Sequence, residues 1–419
     1  MPDHFDKLIS LVFLILTIFP SISRINADQI DDLINKEVDE GFPGAALIVV
    51  RYGKILKEKV YGYKLRYDSN GTAIKTPELL SLDTMFDLAS NTKMYATNYA
   101  LMHLVYKNLL NVNDQIKKYI PEYTGCDSKN QCRDTRLIKD LLTHTAGYLP
   151  SVEFYDPKRV SPDLYSQEKN QTQIIMETKL GFDRPRGGEP IYSDIDFMLL
   201  GTIVERISGL AINEYVHRNL YQPLNLAHTL FNPLENTTYQ KADCAATELK
   251  GNTRNGSIDF PNVRRDVIQC QVHDEKSFYS MNGLSGHAGL FSNLNDMSIL
   301  TQIMLNNGTF RNIEFWNRNV QDLFLTPYAY DQSYGLGWRL NWNENLWFFG
   351  KHASKYAYGH TGWTGTCTVI DPQYSLAIIL LTNKKHSPFI NGTFEGDQFL
   401  TGNYAQIMTL VYESLLSIL

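Results

Sequence analysis

The sequence predicts an α/β fold of the α+β kind, in which both ends of the chain supply strands to one antiparallel sheet. Two β-hairpin patterns indicate this sheet, one over residues 45–61 and one over residues 366–381. The stretch between them, about residues 90–284, shows mostly helix and loop patterns. Because a sheet buries its faces under other elements, we expect terminal helices to flank it and a mostly helical domain to be inserted.

The amino-terminal helix is predicted from apolar residues at three- and four-residue spacing, which is typical of a helix with one buried face. These residues are Ile30, Leu33, Ile34 and Val38. Two apolar runs follow, residues 45–50 and 55–61, around the turn Arg51-Tyr52-Gly53-Lys54. A glycine-containing turn between two such runs indicates a hairpin.

The carboxyl-terminal part of the chain shows a second hairpin and a final helix. Residues 366–370 and 376–381 are apolar and flank the turn Asp371-Pro372-Gln373-Tyr374. The remaining residues, 404–419, have a helical pattern. The two hairpins therefore supply the central strands of the predicted sheet.

Two domains are expected from this order of elements. Residues 28–89 and 285–419 form the sheet domain, and residues 90–284 form the helical domain. A chain of 419 residues with 43% hydrophobic content can bury a large core. Its net charge of -6 provides no basic surface for nucleic acid, which excludes that class of partner. A functional cleft is expected where the two domains meet.

Residues 1–23 are predicted to be a signal peptide, so the protein is expected to be exported, either to a periplasm or as a secreted protein. A 12-residue apolar stretch over 8–19 is followed by the small residues Ser21 and Ser23. Acidic residues near the start leave open an uncleaved anchor, with membrane association through residues 8–23. The apolar stretch is shorter than the roughly 20 residues of a membrane span, which favours cleavage.

Export would expose the five cysteines to oxidising conditions. Cys126 and Cys132 bracket a short polar loop that a disulfide can close, and Cys244 and Cys270 are a second candidate pair. Cys367 is then left over, and we interpret it as a buried apolar side chain. The oxidation state itself is left open by the sequence.

Ser90-Asn91-Thr92-Lys93 is the most informative motif, because it places a serine and a lysine three residues apart at a predicted helix start. Residues i and i+3 share a helix face, so the Lys93 amine can reach the Ser90 hydroxyl. A free lysine has a pKa of about 10.4, so a base at neutral pH needs a pKa lower by roughly three units. Burial or a second cation, for which His360 is a candidate, can lower it. Chance also produces this spacing on many helices, so the motif needs partners.

Two further motifs follow in the chain. Tyr192-Ser193-Asp194 leads from a loop into a predicted apolar helix over residues 197–207, which suits residues that position other groups. His360-Thr361-Gly362 begins a predicted strand, where the glycine leaves room for a substrate backbone. The three motifs in this order predict a hydrolase that transfers an acyl group to serine.

With these motifs the chain resembles the serine β-lactamase and D-alanyl-D-alanine carboxypeptidase family, and within it the penicillin-binding protein 4B branch. The resemblance covers nearly the whole chain from about residue 30 onward. It extends to longer matching strings over residues 87–97, 192–196, 246–254, 273–276, 285–291 and 358–366.

The resemblance implies a class C β-lactamase-like fold and carboxypeptidase-type activity through an acyl-enzyme at Ser90. It implies that Lys93, Tyr192 and His360 act with Ser90 in catalysis. It also implies an oxyanion hole formed by the backbone amides of Ser90 and Trp363. The implied substrates are peptides or peptidoglycan stems, with β-lactams as acylating ligands.

Asp194, Thr361 and Gly362 are the expected substrate-binding residues, and Asp194 departs from the asparagine of most family members. An ionised carboxylate cannot donate a hydrogen bond. Three interpretations are open: the carboxylate keeps Lys93 charged and passes the role of base to Tyr192, burial protonates it, or it caps a helix.

No cofactor and no metal are expected. His144, His273 and His287 lie in glycine- or acid-containing strings, but the spacing of metal ligands is missing, so turn or supporting roles are favoured. The leading function is a D-alanyl-D-alanine carboxypeptidase. The alternatives are a β-lactamase, a small-ester hydrolase, and a penicillin- or peptidoglycan-binding scaffold without turnover.

Overall fold

Strands from the two ends of the chain alternate with helices in the computed structural model, which describes residues 27–344 and 346–416. The predicted signal peptide therefore lies outside the described residues. Within them, no helix has both the length and the apolar character needed to cross a bilayer. The helices are α1 (Ala27–Asp39), α2 (Tyr99–Tyr106), α3 (Ile138–Leu142), α4 (Lys169–Thr178), α5 (Asp194–Ser208), α6 (Ile212–Val216), α7 (Leu294–Leu305), α8 (Arg318–Leu325), α9 (Leu400–Asn403) and α10 (Ala405–Leu416).

The strands form one large sheet and several short pairings. They are β1 (Gly44–Arg51), β2 (Lys54–Tyr67), β3 (Ala73–Leu79), β4 (Phe86–Asp87), β5 (Leu230–Phe231), β6 (Ala246–Glu248), β7 (Ile268–Gln269), β8 (Leu290–Ser292), β9 (Thr309–Phe310), β10 (Ile313–Glu314), β11 (Arg339–Leu340), β12 (Tyr358–Gly362), β13 (Thr366–Asp371), β14 (Leu376–Thr382), β15 (Phe389–Ile390) and β16 (Thr393–Phe394). The large sheet has seven strands in the order β11-β12-β13-β14-β1-β2-β3, and all neighbours are antiparallel. The predicted α+β fold with an antiparallel sheet is confirmed.

Strand β1 is buried on both faces because helices cover both sides of the sheet. Successive residues of a strand point to opposite sides. Ala46, Ile48 and Val50 belong to a core that also contains side chains of α2, α5 and α7. The alternate residues belong to a second core shared with α1 and α10: Ala45, Leu47 and Val49. Two-sided burial explains why this strand is a continuous apolar run in the sequence.

Three segments from distant parts of the chain meet beside the sheet. Residues Lys93–Asn98 are wound as a π-helix that continues directly into α2, and all six are buried. The loop after residue 283 packs closely on α5, since a Cβ on Gly286 would lie 2.2 Å from the carbonyl oxygen of Phe197. Only glycine permits this approach. The hydrophobic core beside these segments contains residues of the sheet and of the helices. Because the two predicted domains share this core, their boundaries stay a prediction.

The cysteines are arranged as the sequence suggested. Cys126 is bonded to Cys132, and Cys244 is bonded to Cys270. Cys367 has a free, fully buried thiol on β13. Burial raises the pKa of this thiol well above its usual value, so it behaves as an apolar side chain and not as a nucleophile.

Candidate active site

Ser90 lies in a turn immediately before the helix that carries Lys93. The preceding Ala89 has a φ of 45°, a left-handed conformation that is unfavourable for a residue with a Cβ. The buried Asp87 carboxylate holds this turn by accepting hydrogen bonds from the backbone amides of Ala89, at 2.8 Å, and His273, at 2.6 Å. The strained turn directs the Ser90 hydroxyl into the cleft.

The Ser90 hydroxyl receives two hydrogen bonds from the residues that the motifs predicted. The Lys93 ammonium donates at 2.9 Å, and the Tyr192 hydroxyl donates at 2.8 Å. The Lys93 nitrogen also lies 4.9 Å from the centre of the Tyr192 ring. The structure thus brings the serine, the amine and the phenol together, as the sequence predicted, while their catalytic roles stay predictions.

Lys93 is fully buried and all three protons of its ammonium group are used. Besides Ser90, they reach Asp194 Oδ1 at 2.8 Å and the carbonyl oxygen of His287 at 3.1 Å. Burial lowers the pKa of Lys93, but the Asp194 carboxylate and Tyr192 outweigh it, so the pKa lies above its ordinary value. The lowered pKa that the sequence argument required is therefore not found. Lys93 is a cation at neutral pH.

Asp194 is ionised and lies between two lysines. Its carboxylate is 2.8 Å from Lys93 and 3.2 Å from Lys276. Burial alone would raise the pKa of Asp194. The charges of Lys93 and Lys276 lower it by more than burial raises it, so the pKa lies below its ordinary value. Of the three interpretations offered by the sequence, protonation by burial is wrong. The position before α5 is occupied by Ser193, so Asp194 is the first helical residue and not the cap.

Lys276 and its partners are the part of the site that the sequence argument missed. Lys276 is 3.2 Å from Asp274, and the Asp274 carboxylate is 2.8 Å from His287 Nε2. A chain of polar contacts therefore runs from His287 through Asp274, Lys276 and Asp194 to Lys93. The string His273-Asp274-Glu275-Lys276 contained the signal, because an aspartate that pairs with one lysine can still accept hydrogen bonds from a second cation.

His360 does not provide the second cation that was expected beside Lys93. Burial, with the nearby Lys93 charge, lowers the pKa of His360 to about 3, so its ring is neutral. His360 Nδ1 lies 2.7 Å from the carbonyl oxygen of Thr361, and a carbonyl can only accept, so the proton is on Nδ1. The ring is 6.0 Å from that of Tyr192. The neutral imidazole thus lies beside the phenol with Nε2 unprotonated.

The loop after β12 is attached to the turn that holds Ser90. Thr364 Oγ1 donates to the carbonyl oxygen of Asp87 at 2.6 Å, and Thr366 Oγ1 donates to that of Leu88 at 2.9 Å. A Cβ on Gly362 would lie 2.4 Å from the Leu88 oxygen, so a glycine is required here. These contacts place the Trp363 segment next to Ser90, which is the arrangement that an oxyanion hole of their two amides needs.

The site opens into a cleft of about 730 Å³ that contains Ser90, Tyr192, His360, Thr361 and Gly362 in its lining. This volume is in the range of sites that hold drug-sized ligands. Cations and carboxylates both line the cleft, and Lys384 and Lys385 are paired with Asp397 there. Arg339 also lines the cleft and forms no ion pair with a carboxylate of the described residues. Its guanidinium group could therefore bind an anionic group of a substrate.

The remaining histidines have supporting contacts. His144 Nδ1 is 3.0 Å from Asp196, and His273 Nε2 is 2.8 Å from Glu248. Ligand atoms of Asp194, Asp274 and His287 lie within 4.8 Å of one another, a spacing that could suit a metal ion. The ammonium groups of Lys93 and Lys276 already pair with these carboxylates. The charge of this cluster is therefore balanced by the protein's own cations.

Known proteins are similar to this chain in sequence and in fold. A family model described as Beta-lactamase matches residues 30–394. The chain belongs to the beta-lactamase family. The family predicted from the motifs is thus confirmed, and the penicillin-binding protein 4B branch within it stays a prediction.

Two relatives and one solved structure illustrate the range of the beta-lactamase family around this chain. The N-acetylmuramyl-L-alanine amidase of Bacillus subtilis (strain 168) is 47% identical over 394 residues, covering 92% of this chain and 88% of the relative. A protein of Escherichia coli (strain K12), provisionally named as a D-alanyl-D-alanine carboxypeptidase, is 43% identical over 405 residues. This match covers 94% of this chain and 91% of the relative. A penicillin-binding protein homologue from Caulobacter crescentus matches with a TM-score of 0.64 at 17% identity, covering 92% of this chain and 98% of that one, which shows a common fold.

Replacing Lys276 by methionine is expected to shift the pH dependence of acylation. The pKa of Asp194 is lowered mainly by the charges of Lys93 and Lys276, and removing one of them raises it. In the wild type Asp194 stays ionised down to pH 3, so its protonation adds no acid limb to the acylation rate above that pH. In Lys276→Met, Asp194 is protonated at higher pH and Lys93 loses its partner, so we expect an acid limb to enter the range. Acylation by a chromogenic cephalosporin between pH 3 and pH 8 measures it. Lys276→Arg keeps the charge and should retain the wild-type profile; a wild-type profile in folded Lys276→Met would contradict the role of Lys276.

Proposed function

We propose that this chain is a serine hydrolase that cleaves amide bonds of peptidoglycan peptides through an acyl-enzyme at Ser90, with D-alanyl-D-alanine carboxypeptidase activity as the leading assignment. The observation that carries the proposal is the Ser90 hydroxyl, which is hydrogen-bonded by both Lys93 and Tyr192 and lines a large cleft. An activated serine needs a neighbouring group that can take its proton and another that stabilises the resulting charge.

Tyr192 is the proton carrier in the proposed acylation step. Burial raises the pKa of Tyr192, and the opposing charge of Lys93 does not cancel this, so the side chain is a neutral phenol. As Ser90 Oγ forms its bond to the carbonyl carbon, Tyr192 relays the proton in a single step: it takes the serine proton while it gives its own to the substrate nitrogen. The protonated amine then leaves as the C–N bond breaks and the carbonyl is restored. Tyr192 is a neutral phenol before and after this relay.

Lys93 has a different part in this step, because its raised pKa keeps it charged. Its ammonium group stabilises negative charge that develops on the Ser90 and Tyr192 oxygens. The backbone amides of Ser90 and Trp363 would bind the carbonyl oxygen as it becomes an oxyanion, where one well-placed donor contributes about 3 kcal/mol to the rate. In the second half of the reaction, water attacks the ester carbon, and Tyr192 takes the proton of this water while it gives its own to Ser90 Oγ. The ester C–O bond then breaks, which releases the acid and restores the Ser90 hydroxyl.

The substrate class rests on charge and on the relatives. Arg339 lines the cleft without an ion-pair partner among the described residues, and a guanidinium group suits a peptide that ends in a carboxylate. The E. coli relative carries a carboxypeptidase name. These observations support a peptide end of the peptidoglycan stem as substrate, with β-lactams as acylating analogues. An exported location follows from the same substrate and is part of the proposal.

A second candidate function is hydrolysis of the bond between N-acetylmuramic acid and L-alanine. The observation that favours it is the B. subtilis relative, which is 47% identical to this chain and is named as that amidase. The chemistry at Ser90 would be the same in both cases. The two functions differ in which amide bond of the peptidoglycan lies at the serine.

The test compares three substrates with the full chain: a stem pentapeptide ending in D-alanyl-D-alanine, N-acetylmuramyl-L-alanyl-D-isoglutamine, and a nitrophenyl ester. Release of D-alanine supports the leading assignment, and release of free L-alanyl-D-isoglutamine supports the second candidate. Turnover of the ester alone, or of a β-lactam alone, would overturn both in favour of an esterase or a β-lactamase. Penicillin labelling without turnover of any substrate would indicate a binding scaffold.

A further inference from the structure

Tyr192 must keep its hydroxyl 2.8 Å from Ser90 Oγ for the proposed proton relay, yet it lies in a loop and not in a helix or strand. A loop residue has no ladder of backbone hydrogen bonds to fix its place, so other contacts have to hold the phenol. One buried residue, His144, provides contacts on several sides of Tyr192. No step of the proposed reaction uses this histidine.

His144 holds the backbone on both sides of Tyr192. Its carbonyl oxygen accepts a hydrogen bond from the amide of Ile191 at 3.0 Å, and its Nδ1 accepts one from the amide of Ser193 at 3.2 Å. Its imidazole also packs against the phenol, with ring centroids 4.7 Å apart and an angle of 42°. A single residue therefore fixes both the place of the Tyr192 backbone and the direction of its ring.

The contact with Ser193 indicates where the imidazole carries its proton. A backbone amide can only donate, so Nδ1 has a free electron pair and the proton of the neutral ring is on Nε2. The ring is neutral because burial and the charge of Lys93 lower the pKa of His144 well below its ordinary value. Asp196 Oδ2 lies 3.0 Å from the same Nδ1. Because an ionised carboxylate would repel the electron pair at that distance, the geometry requires a protonated Asp196 that donates to Nδ1.

The surroundings of Asp196 suit a neutral acid. Its side chain is buried, and burial raises its pKa well above the ordinary value. Among the described residues its only ion-pair candidate is His144, and its Oδ1 has no hydrogen-bond partner. A buried carboxylate in that situation would cost far more free energy if it were ionised. Asp196 and His144 thus form a neutral hydrogen-bonded pair.

We propose that His144 is the positioning residue of Tyr192, and that Asp196 holds the imidazole in the tautomer that accepts the Ser193 amide. Loss of this tautomer would release the backbone of the loop and move the phenol away from Ser90. This inference rests on the proposed function, because it assumes that Tyr192 carries the serine proton. It adds two residues that contribute only through the place of Tyr192.

The first test is stopped-flow acylation by a chromogenic cephalosporin, measured over a range of concentrations so that the binding constant and the acylation rate are separated. His144→Leu should slow acylation about 10²-fold, since a displacement of roughly 1 Å can have this effect, and should change the binding constant less than about threefold. His144→Asn keeps an acceptor at the δ position and suits the left-handed φ of 56°, so it should be about tenfold faster than His144→Leu. His103→Leu, at a buried histidine that contacts Tyr215 instead, is the matched control and should acylate like the wild type.

The second test locates the proton by NMR of the full chain with nitrogen-isotope-labelled histidine, where the signal of His144 is the one that His144→Asn removes. We expect the Nε2–H tautomer at neutral pH. Asp196→Asn supplies an amide N–H that can donate to Nδ1, so it should keep this tautomer and an acylation rate within about threefold of the wild type. Asp196→Leu, which is similar in size but has no donor, should slow acylation about tenfold.

A proton on Nδ1 of His144 in the wild type would overturn the inference, because that nitrogen could not then accept from Ser193. A wild-type acylation rate in His144→Leu would also overturn it, as would a weaker binding constant with an unchanged acylation rate. The tautomer is measured without turnover. If the wild type were not acylated at all, the proposed hydrolase would fail whatever the tautomer of His144, so the two failures are distinguishable.

Discussion

Ser90→Ala is expected to abolish covalent labelling by a fluorescent penicillin and hydrolysis of every substrate of the protein. The hydroxyl that both Lys93 and Tyr192 contact is absent in this variant, and the proposed acyl bond forms at that hydroxyl. Loss of a catalytic serine lowers kcat by roughly 10⁶ in a well-studied serine hydrolase. Intact-protein mass spectrometry after incubation with penicillin measures the acyl-enzyme directly.

The fold should tolerate this replacement, since it removes one oxygen from a residue at the cleft surface. Ser257→Ala, at an exposed serine on a surface turn, is the matched control and should label like the wild type. Persistent labelling of Ser90→Ala at a second residue would contradict the assignment. Cys367 would then be the residue to examine, although its burial and raised pKa speak against it.

Tyr192→Phe is expected to slow acylation by about 10² to 10⁴ while leaving the fold and the binding of substrate nearly unchanged. The variant removes only the hydroxyl that donates to Ser90 at 2.8 Å. Since Lys93 is already charged through its contact with Asp194, it has no free electron pair to take over the serine proton. Stopped-flow measurement of single-turnover acylation with a chromogenic cephalosporin separates this step from product release.

The control for this variant is Tyr356→Phe, which removes the hydroxyl of a half-exposed tyrosine outside the cleft lining. It should leave the acylation rate unchanged. If Tyr192→Phe acylates at the wild-type rate, Tyr192 is not the proton carrier. The charge of Lys93 would then have to be relieved in the complex with substrate, and Lys93 would return as the base.

Much of the fold could be predicted because its signals are local. The apolar run of β1 and the turn at Gly53 identified the first hairpin, and the second hairpin followed from the same pattern. The edge strand β11 was not predicted, because two residues are too few to show a period of two. The π-helical start of the segment before α2 was missed as well, since its residues have an ordinary helical pattern.

The site residues could be predicted as a group, but not their charges. Ser90 directly precedes the helix that carries Lys93, so their contact depends only on local geometry. Lys276 and Asp274 belong to a matching string of the sequence, yet their contacts depend on how a distant segment packs against Asp194. His360 is a candidate for a second cation by sequence, and burial beside Lys93 makes it neutral.

The sequence by itself predicted which groups lie together: a serine with a lysine three residues later, a tyrosine before a helix, and a histidine on a strand. The tertiary structure alone decided how their protons are distributed, because a pKa depends on burial and on charges that only folding brings near. By placing Lys276 and Lys93 on either side of Asp194, the fold raises the pKa of Lys93 above its ordinary value. For this reason the proposed mechanism assigns the proton of Ser90 to the phenol of Tyr192.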